Sequence, residues 1–126
     1  MNKLSDPRSA TTFDPVVFER LLARYEALPE TDAEAKWLTL EAAHVVGQSR
    51  FTPHWRTHVA MLQLALATKN GPEFAGQLLR LALVPLGHLL KRLPLGNPGR
   101  ANVSAFEPMP VRADIAELIA ATRLAS

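Results

Sequence analysis

EAAHVVGQSRFTPHWRTHVAM, residues 41–61, is the stretch that decides the fold, and it contains three of the chain's four histidines. Gly47 is typical of the position where a helix ends, and Thr52-Pro53 combines an N-cap residue with a proline suited to the first helical position. The stretch therefore predicts the end of one helix, a short turn and the start of a second helix.

Both helices direct ionisable side chains toward their apolar faces. At about 100° per residue, the face that each side chain occupies follows from its spacing. Glu41 and His44 fall inside the apolar arc of the first helix. His54 and His58 fall one turn apart inside the arc of the second. The apolar residues that define the two arcs are Trp37, Leu38, Leu40 and Val45, then Trp55, Val59, Met61, Leu62, Ala65 and Leu66. Because unpaired charges and unsatisfied polar groups are costly in a core, the four polar residues need partners there.

A metal ion is one such partner. Two histidines four residues apart on one helix can point their imidazoles at a single ion, and His44 lies just across the turn from them. Glu41, one turn before His44, adds a carboxylate to the three nitrogens. We predict that Glu41, His44, His54 and His58 bind a divalent transition metal, and zinc, iron, copper and nickel are all compatible with these ligands.

A metal-free hydrogen-bond network is the alternative. Glu41 would then pair with one histidine and orient it, and the cluster would have a purely structural role. Catalysis is a third and weaker hypothesis, because the sequence contains no phosphate loop, dinucleotide fingerprint or nucleophile elbow, and we assign no catalytic residue. The fourth histidine, His88, is interpreted as a surface or loop-contacting residue.

Cap signals and apolar stripes predict the helices on the N-terminal side of this stretch. Asp14-Pro15 begins a first helix, which Pro29 ends. The sequence at 31–34, Thr-Asp-Ala-Glu, has the form of a capping box and begins the second helix, which ends at Gly47. Since Pro15 and Pro53 each start a helix followed by a short turn and another helix, we predict two successive helical hairpins that resemble helical repeats.

The C-terminal half of the chain predicts a fourth helix, a long loop and a final helix at about 112–124. The fourth helix begins at Pro72 and has apolar residues around most of its circumference, which predicts that it is the most buried helix. Pro85 and Gly87 predict a kink or break near its end. The whole pattern is that of an all-α fold.

The segment at 94–111 is too rich in proline and glycine for regular structure. It is longer than most connections in a compact domain, so it is either a functional loop or a strap packed over the helices. Phe106 and Met109 are its expected apolar anchors.

Composition sets further bounds on the fold and on the class of site. A chain of 126 residues, 48% of them hydrophobic and 21% charged, is sufficient for one globular domain, which we place at 13–126 after a flexible leader at 1–12. No apolar run approaches the length of a membrane span, and the N-terminus lacks the apolar segment of a secretory signal, so a cytoplasmic location is expected. The absence of cysteine leaves histidine and carboxylate as the metal ligands.

The charge pattern argues against nucleic acid as a partner. The net charge is only +2, and the basic residues of the middle of the chain are scattered along helices, with few aromatic residues close to them. A solvated basic face accounts for this pattern. A protein partner is possible, and the oligomeric state is left open.

Four motifs between residues 43 and 111 resemble one known family. They are AHVVGQ at 43–48, PHWRTH at 53–58, GQLLRLALVPLG at 76–87 and RLPLGNPGRANVSAFEPMPV at 92–111. Together they are similar to the successive motifs of a bacterial family catalogued as domain of unknown function 3703, over about residues 36–112. The resemblance implies a small helical protein with histidines at the positions of His44, His54 and His58, and it implies no particular activity.

These observations favour a small helical binding protein over an enzyme. Its His/Glu cluster is predicted to hold a divalent transition metal. The alternative is a metal-free helical protein-interaction module in which the cluster is a structural hydrogen-bond network.

Overall fold

The computed structural model describes residues 10–91, 93–104 and 107–125. Five α-helices and no strand lie within these ranges, which confirms the all-α prediction. The helices are α1 Pro15–Ala27, α2 Ala33–Gly47, α3 Phe51–Ala67, α4 Gly71–Leu89 and α5 Ala113–Leu124. In this part of the chain, no helix has the length and apolar character that crossing a membrane would require.

The five helices pack in the order expected for two hairpins closed by a C-terminal helix. Helix α1 packs on α2, and α3 packs on α4, as the hairpin prediction requires. Helix α2 also contacts α3 and so joins the two hairpins. Helix α5 returns to the first hairpin, where it contacts α2 and α1. The turn between α2 and α3 therefore brings residues 41–61 to the centre of the molecule.

Helix α2 is the most buried helix, and its small residues explain how neighbours can surround it. Most of its residues are buried, among them Ala42 and Ala43, which let other helices approach closely. Lys36 and Thr39 do not belong to the apolar arc of this helix, yet they are buried as well. The Nζ of Lys36 donates to the Tyr25 carbonyl at 2.9 Å. One hydrophobic cluster lies between α2, α1 and α5, and a second lies between α2 and α3.

Helix α4 buries a mostly polar face, although its many apolar residues predict that it is the most buried helix. Its buried residues are Glu73, Gln77, Arg80 and Val84. Its large apolar side chains at Leu78, Leu79, Leu86 and Leu89 are exposed. The prediction that α4 is the most buried helix is therefore wrong. Of the kink or break predicted at Pro85 and Gly87, the break is absent, because the helix includes Pro85 and continues to Leu89.

The helix starts follow the cap signals in part. Asp14 caps α1, since its Oδ1 accepts hydrogen bonds from the N–H groups of Val16 and Val17. Helix α2 is capped by Asp32, one residue later than the capping box indicates. Helix α3 begins at Phe51 without a side-chain cap, so Thr52 lies inside its first turn. Trp55 and Leu66 of α3 are exposed, because the inward face of this helix is centred on the histidines.

The segment at 94–111, called the strap below, packs over α2 and α4. Its residues 96–99 are buried, and the Asn97 side chain holds the turn by donating to the carbonyls of Ser104 and Glu107. The Gln48 side chain, directly after α2, donates its amide N–H to the Pro94 carbonyl and accepts from the Gly96 N–H with its amide oxygen. Of the predicted anchors, Met109 is partly buried, and Phe106 lies outside the described residues. Most of the predicted leader, residues 1–9, also lies outside them, while Ala10 is buried in the first cluster.

The contrast between α2 and α4 predicts two very different responses to the same substitution. Leu40→Ala in α2 should lower the free energy of unfolding by roughly 2–5 kcal/mol, because Leu40 is fully buried and its truncation leaves a cavity. Leu79→Ala in α4 should change it by no more than about 0.5 kcal/mol, because Leu79 is 56% exposed. Denaturant unfolding of the two variants measures both values. Equal losses would contradict the orientation of α4.

Candidate metal centre

Three imidazoles meet in the core where α2 ends and α3 begins. His44 lies in the last turn of α2, and His54 and His58 lie one turn apart near the start of α3. All three side chains are at least 96% buried. The Nε2 atom of His54 is 3.2 Å from the Nε2 of His44 and 3.2 Å from the Nε2 of His58. These residues, called the histidine cluster below, thus bring three ring nitrogens to within 4.8 Å of one another.

The outward-facing nitrogens of two of the rings fix where their protons are. His44 Nδ1 lies 2.6 Å from the Asn97 carbonyl oxygen, which can only accept. His58 Nδ1 lies 2.7 Å from Gln77 Oε1, and Gln77 Nε2 donates to the Gly99 carbonyl, so Oε1 is the accepting end of that amide. Both Nδ1 atoms must therefore donate. Because a neutral imidazole carries one N–H, the Nε2 atoms of both rings present lone pairs to the centre.

His54 decides how many protons lie at the centre. Its Nδ1 is 2.9 Å from Nε2 of His88, a contact that either ring can donate. If His54 Nδ1 donates, three lone pairs face one another with no proton between them. If His54 carries its proton on Nε2, that one proton is shared between the lone pairs of His44 and His58. In either case the centre is rich in lone pairs.

Burial keeps these imidazoles neutral. It depresses the pKa of His44 well below the usual value, and the nearby rings of His58 and His54 add to the effect. Burial, followed by the charges that His58 and His88 would carry, lowers the pKa of His54 to about 3. Burial likewise lowers the pKa of His58 to about 4, although its hydrogen bond to Gln77 opposes the shift. At neutral pH all three rings are therefore in the form that binds metals.

The fourth predicted ligand, Glu41, lies outside the histidine cluster. Its carboxylate oxygens accept from Arg100 at 3.2 Å and from Arg112 at 2.5 Å, so they face the strap and the start of α5. Arg100 also pairs with Glu73 and lies over the Trp37 ring, 3.8 Å from its centroid. Of the four predicted ligands, the structure thus brings together His44, His54 and His58. The orienting role that the network hypothesis gave to Glu41 is performed by Asn97 and Gln77.

Residues that the sequence interpretation missed lie on one face of α4. Gln77 orients His58, and Arg80 and Gly87 line the same cavity as the histidines. His88 is partly buried and contacts His54, so the fourth histidine belongs next to the cluster. Glu73, Gln77 and Arg80 recur at helical spacing, and the same row continues through Val84 to His88. This spacing is the sequence signal that indicates a polar face on α4.

A small cavity adjoins the histidine cluster. Its volume is about 40 Å³, which is room for an ion and a very small ligand, since one water needs about 10–15 Å³ by this measure. Its lining combines the three histidines and Arg80 with the apolar side chains Leu83, Val84, Leu93 and Pro94. Among the described residues, these histidines form the group of ionisable side chains whose ligand atoms all lie within 4.8 Å of one another.

Comparison with known proteins identifies one family. The sequence model of the family described as "Protein of unknown function (DUF3703)" matches residues 13–119, which includes all four histidines and the strap. No curated protein and no solved structure matches the chain.

The strap's close approach to His44 predicts that Gly99 tolerates no side chain. Gly99 has a φ of +87°, and a Cβ there would lie 2.5 Å from His44 Cδ2. Gly99→Ala should therefore lower the free energy of unfolding by about 2 kcal/mol or more and displace the His44 ring. The matched control is Gly71→Ala, where a Cβ meets open space and little change is expected. Thermal unfolding and the NMR signals of the His44 ring measure the effect, and equal behaviour of the two variants would contradict this packing.

The depressed histidine pKa values predict acid sensitivity in chelator-treated protein. In the unfolded chain these histidines bind protons below about pH 6.5, whereas in the folded protein the pKa is about 3 for His54 and about 4 for His58. Between these values the unfolded state binds more protons than the folded state, so the free energy of unfolding should fall as the pH falls. Each such histidine contributes a slope of up to about 1.4 kcal/mol per pH unit. Unfolding free energies measured between pH 5 and 7 test this. His58→Gln should reduce the slope by about one histidine's share, and a flat wild-type profile would show that the rings titrate normally.

Proposed function

We propose that this chain, which belongs to the DUF3703 family, binds a divalent transition metal through Nε2 of His44, His54 and His58. The observation that carries the proposal is the convergence of three Nε2 atoms, of which at least two present lone pairs. Lone pairs that meet without protons between them repel, and a cation at their centre removes that repulsion. Nitrogen ligands of this kind suit zinc, iron, copper and nickel.

Two of the three distances between the Nε2 atoms agree with this proposal. Zinc–nitrogen bonds of about 2.05 Å in a tetrahedral site place two ligating nitrogens about 3.3 Å apart. The two Nε2 separations from His54 are each 3.2 Å. A ligand set that needs little rearrangement loses little conformational entropy on binding, because the rings are already held. This supports a site that is formed before the metal arrives.

The surroundings of the rings also resemble those of metal ligands. Metal-binding histidines commonly donate their other ring N–H to a carbonyl, a carboxylate or a water, which fixes the tautomer and the ring orientation. His44 and His58 donate in this way to Asn97 and Gln77. Glu41 is a weaker candidate for the fourth ligand, because it would have to leave both Arg100 and Arg112. In the proposal, the fourth position is open to the adjoining cavity.

A metal-free network remains the second candidate, and one observation favours it. Among the described residues, no buried side-chain nitrogen or oxygen lacks a hydrogen-bond partner, so the cluster needs no ion to satisfy its polar atoms. Under this hypothesis the proton on His54 Nε2 holds the cluster together, and the protein is a helical interaction module. The two candidates therefore differ in what a chelator does to stability.

Chelator treatment and metal analysis distinguish the candidates. Protein purified without a histidine tag should contain close to one metal ion per chain. Removal of that metal should lower the melting temperature by roughly 10 °C if the metal is present at about a hundred times its dissociation constant. In His54→Ala and His58→Ala proteins the metal content should be lost, and the chelator should have little further effect.

His88→Ala provides the matched control for these variants. His88 bonds to the outward ring nitrogen of His54 and not to its Nε2, so this variant should keep its metal with an affinity reduced by roughly 10- to 100-fold. The metal proposal is wrong if the wild-type melting temperature is indifferent both to chelator and to added zinc, copper, nickel and iron, and if both cluster variants are destabilised all the same.

A further inference from the structure

Arg80 is a buried cation that shares the cavity of the histidine cluster. It is 92% buried and lines the cavity beside His44, His54 and His58. Its NH1 donates to the Gly76 carbonyl at 3.3 Å, and its NH2 donates to the Val103 carbonyl. A guanidinium has five N–H donors, so donors remain for a ligand. Among the described residues, no carboxylate lies within ion-pair distance of Arg80.

The carboxylates near this region are already matched by other arginines. Glu73 binds Arg100 and the Ala101 N–H, and Glu41 binds Arg100 and Arg112. Arg112 is matched in addition by Asp114. Three neutral imidazoles would leave the full charge of a divalent ion uncompensated, with a buried guanidinium nearby. Uncompensated charge in a low-dielectric interior is strongly unfavourable, so an anion has to come from outside the chain.

We propose that the cavity binds a small carboxylate-type monoanion, which occupies the open position of the metal and accepts hydrogen bonds from Arg80. This inference rests on the proposed function, because it needs a metal held by the histidine cluster. A planar guanidinium suits a carboxylate, whose two oxygens can be shared between a metal and an N–H donor. The cavity volume of about 40 Å³ restricts the ligand to a very small one, of which formate is the simplest example.

The lining of the cavity strengthens the preference for an anion over a neutral molecule. Leu83, Val84, Leu93 and Pro94 supply an apolar wall, and such a wall lowers the local dielectric constant and strengthens the attraction of both cationic groups for a negative charge. The same wall offers no hydrogen bond to a neutral polar ligand. Selection therefore depends on charge, and an isosteric neutral molecule should be rejected.

Cobalt(II)-loaded protein tests this with formate and formamide, which have nearly the same size and differ in charge. Formate should change the visible absorption of the bound cobalt(II) in a saturable way, and formamide should bind at least about tenfold more weakly. Arg80→Met should weaken formate binding by about tenfold or more, because it removes the charged donor. The Arg80→Met substitution should not weaken cobalt(II) binding, because it removes a positive charge that repels the ion. Arg80→Lys should give an intermediate formate affinity.

Arg56→Met is the matched control for the lost charge. Arg56 is exposed, pairs with Glu19 and does not line the cavity, so its formate affinity should equal that of the wild type. Formate and formamide affinities that are equal, or an unchanged formate affinity in Arg80→Met, would overturn the inference while leaving the metal site intact. If Arg80→Met does not fold, the wild-type comparison of the two ligands and the Arg80→Lys variant decide. Failure to bind cobalt(II) at all would instead remove the proposed function.

Discussion

The rest of the structure depends on the need to satisfy the outward nitrogens of buried imidazoles. His44 and His58 point their Nε2 atoms at the centre, so each must give its Nδ1–H to an acceptor elsewhere. An unsatisfied buried donor costs about 1–3 kcal/mol, which is a large fraction of the stability of a small domain. The acceptors come from α4 and the strap. This requirement explains why α4 turns its polar face inward although its leucines are left exposed.

Arginine pairs form the second layer of the structure and tie the strap and α5 to α2. Arg100 joins Glu41 of α2 to Glu73 of α4 and lies over the Trp37 ring, and Arg112 joins Glu41 to the start of α5. Breaking one partner of a buried pair is far more costly than the net stabilisation that the pair provides, because it leaves a buried charge alone. These contacts therefore help to hold the strap where the Asn97 carbonyl meets His44.

The sequence predicted the features that depend on local spacing. The helical wheel placed His44, His54 and His58 on inward faces, and the cap at Asp14 and the hairpin order followed from the residues near each helix end. The partners of those residues could not be predicted in this way, because they are distant in sequence. Asn97 lies 53 residues from His44, and Arg100 lies 59 residues from Glu41. The inward face of α4 had a local signal in the helical spacing of Glu73, Gln77 and Arg80, but the number of apolar residues in this helix predicts the burial of its leucines instead.

The contact between His54 and His88 allows the cluster to exist in both of the forms considered. In a metal-free cluster His54 carries its proton on Nε2, and the His88 ring donates to its Nδ1 across 2.9 Å. In a metal-bound cluster His54 would donate from Nδ1 to His88 Nε2, which would leave its Nε2 lone pair free for the ion. The two forms have the same number of protons and differ only in which nitrogen of His54 and which nitrogen of His88 carries one. A metal could therefore bind without removing a proton from the chain, provided that His88 Nε2 changes from a hydrogen-bond donor to an acceptor.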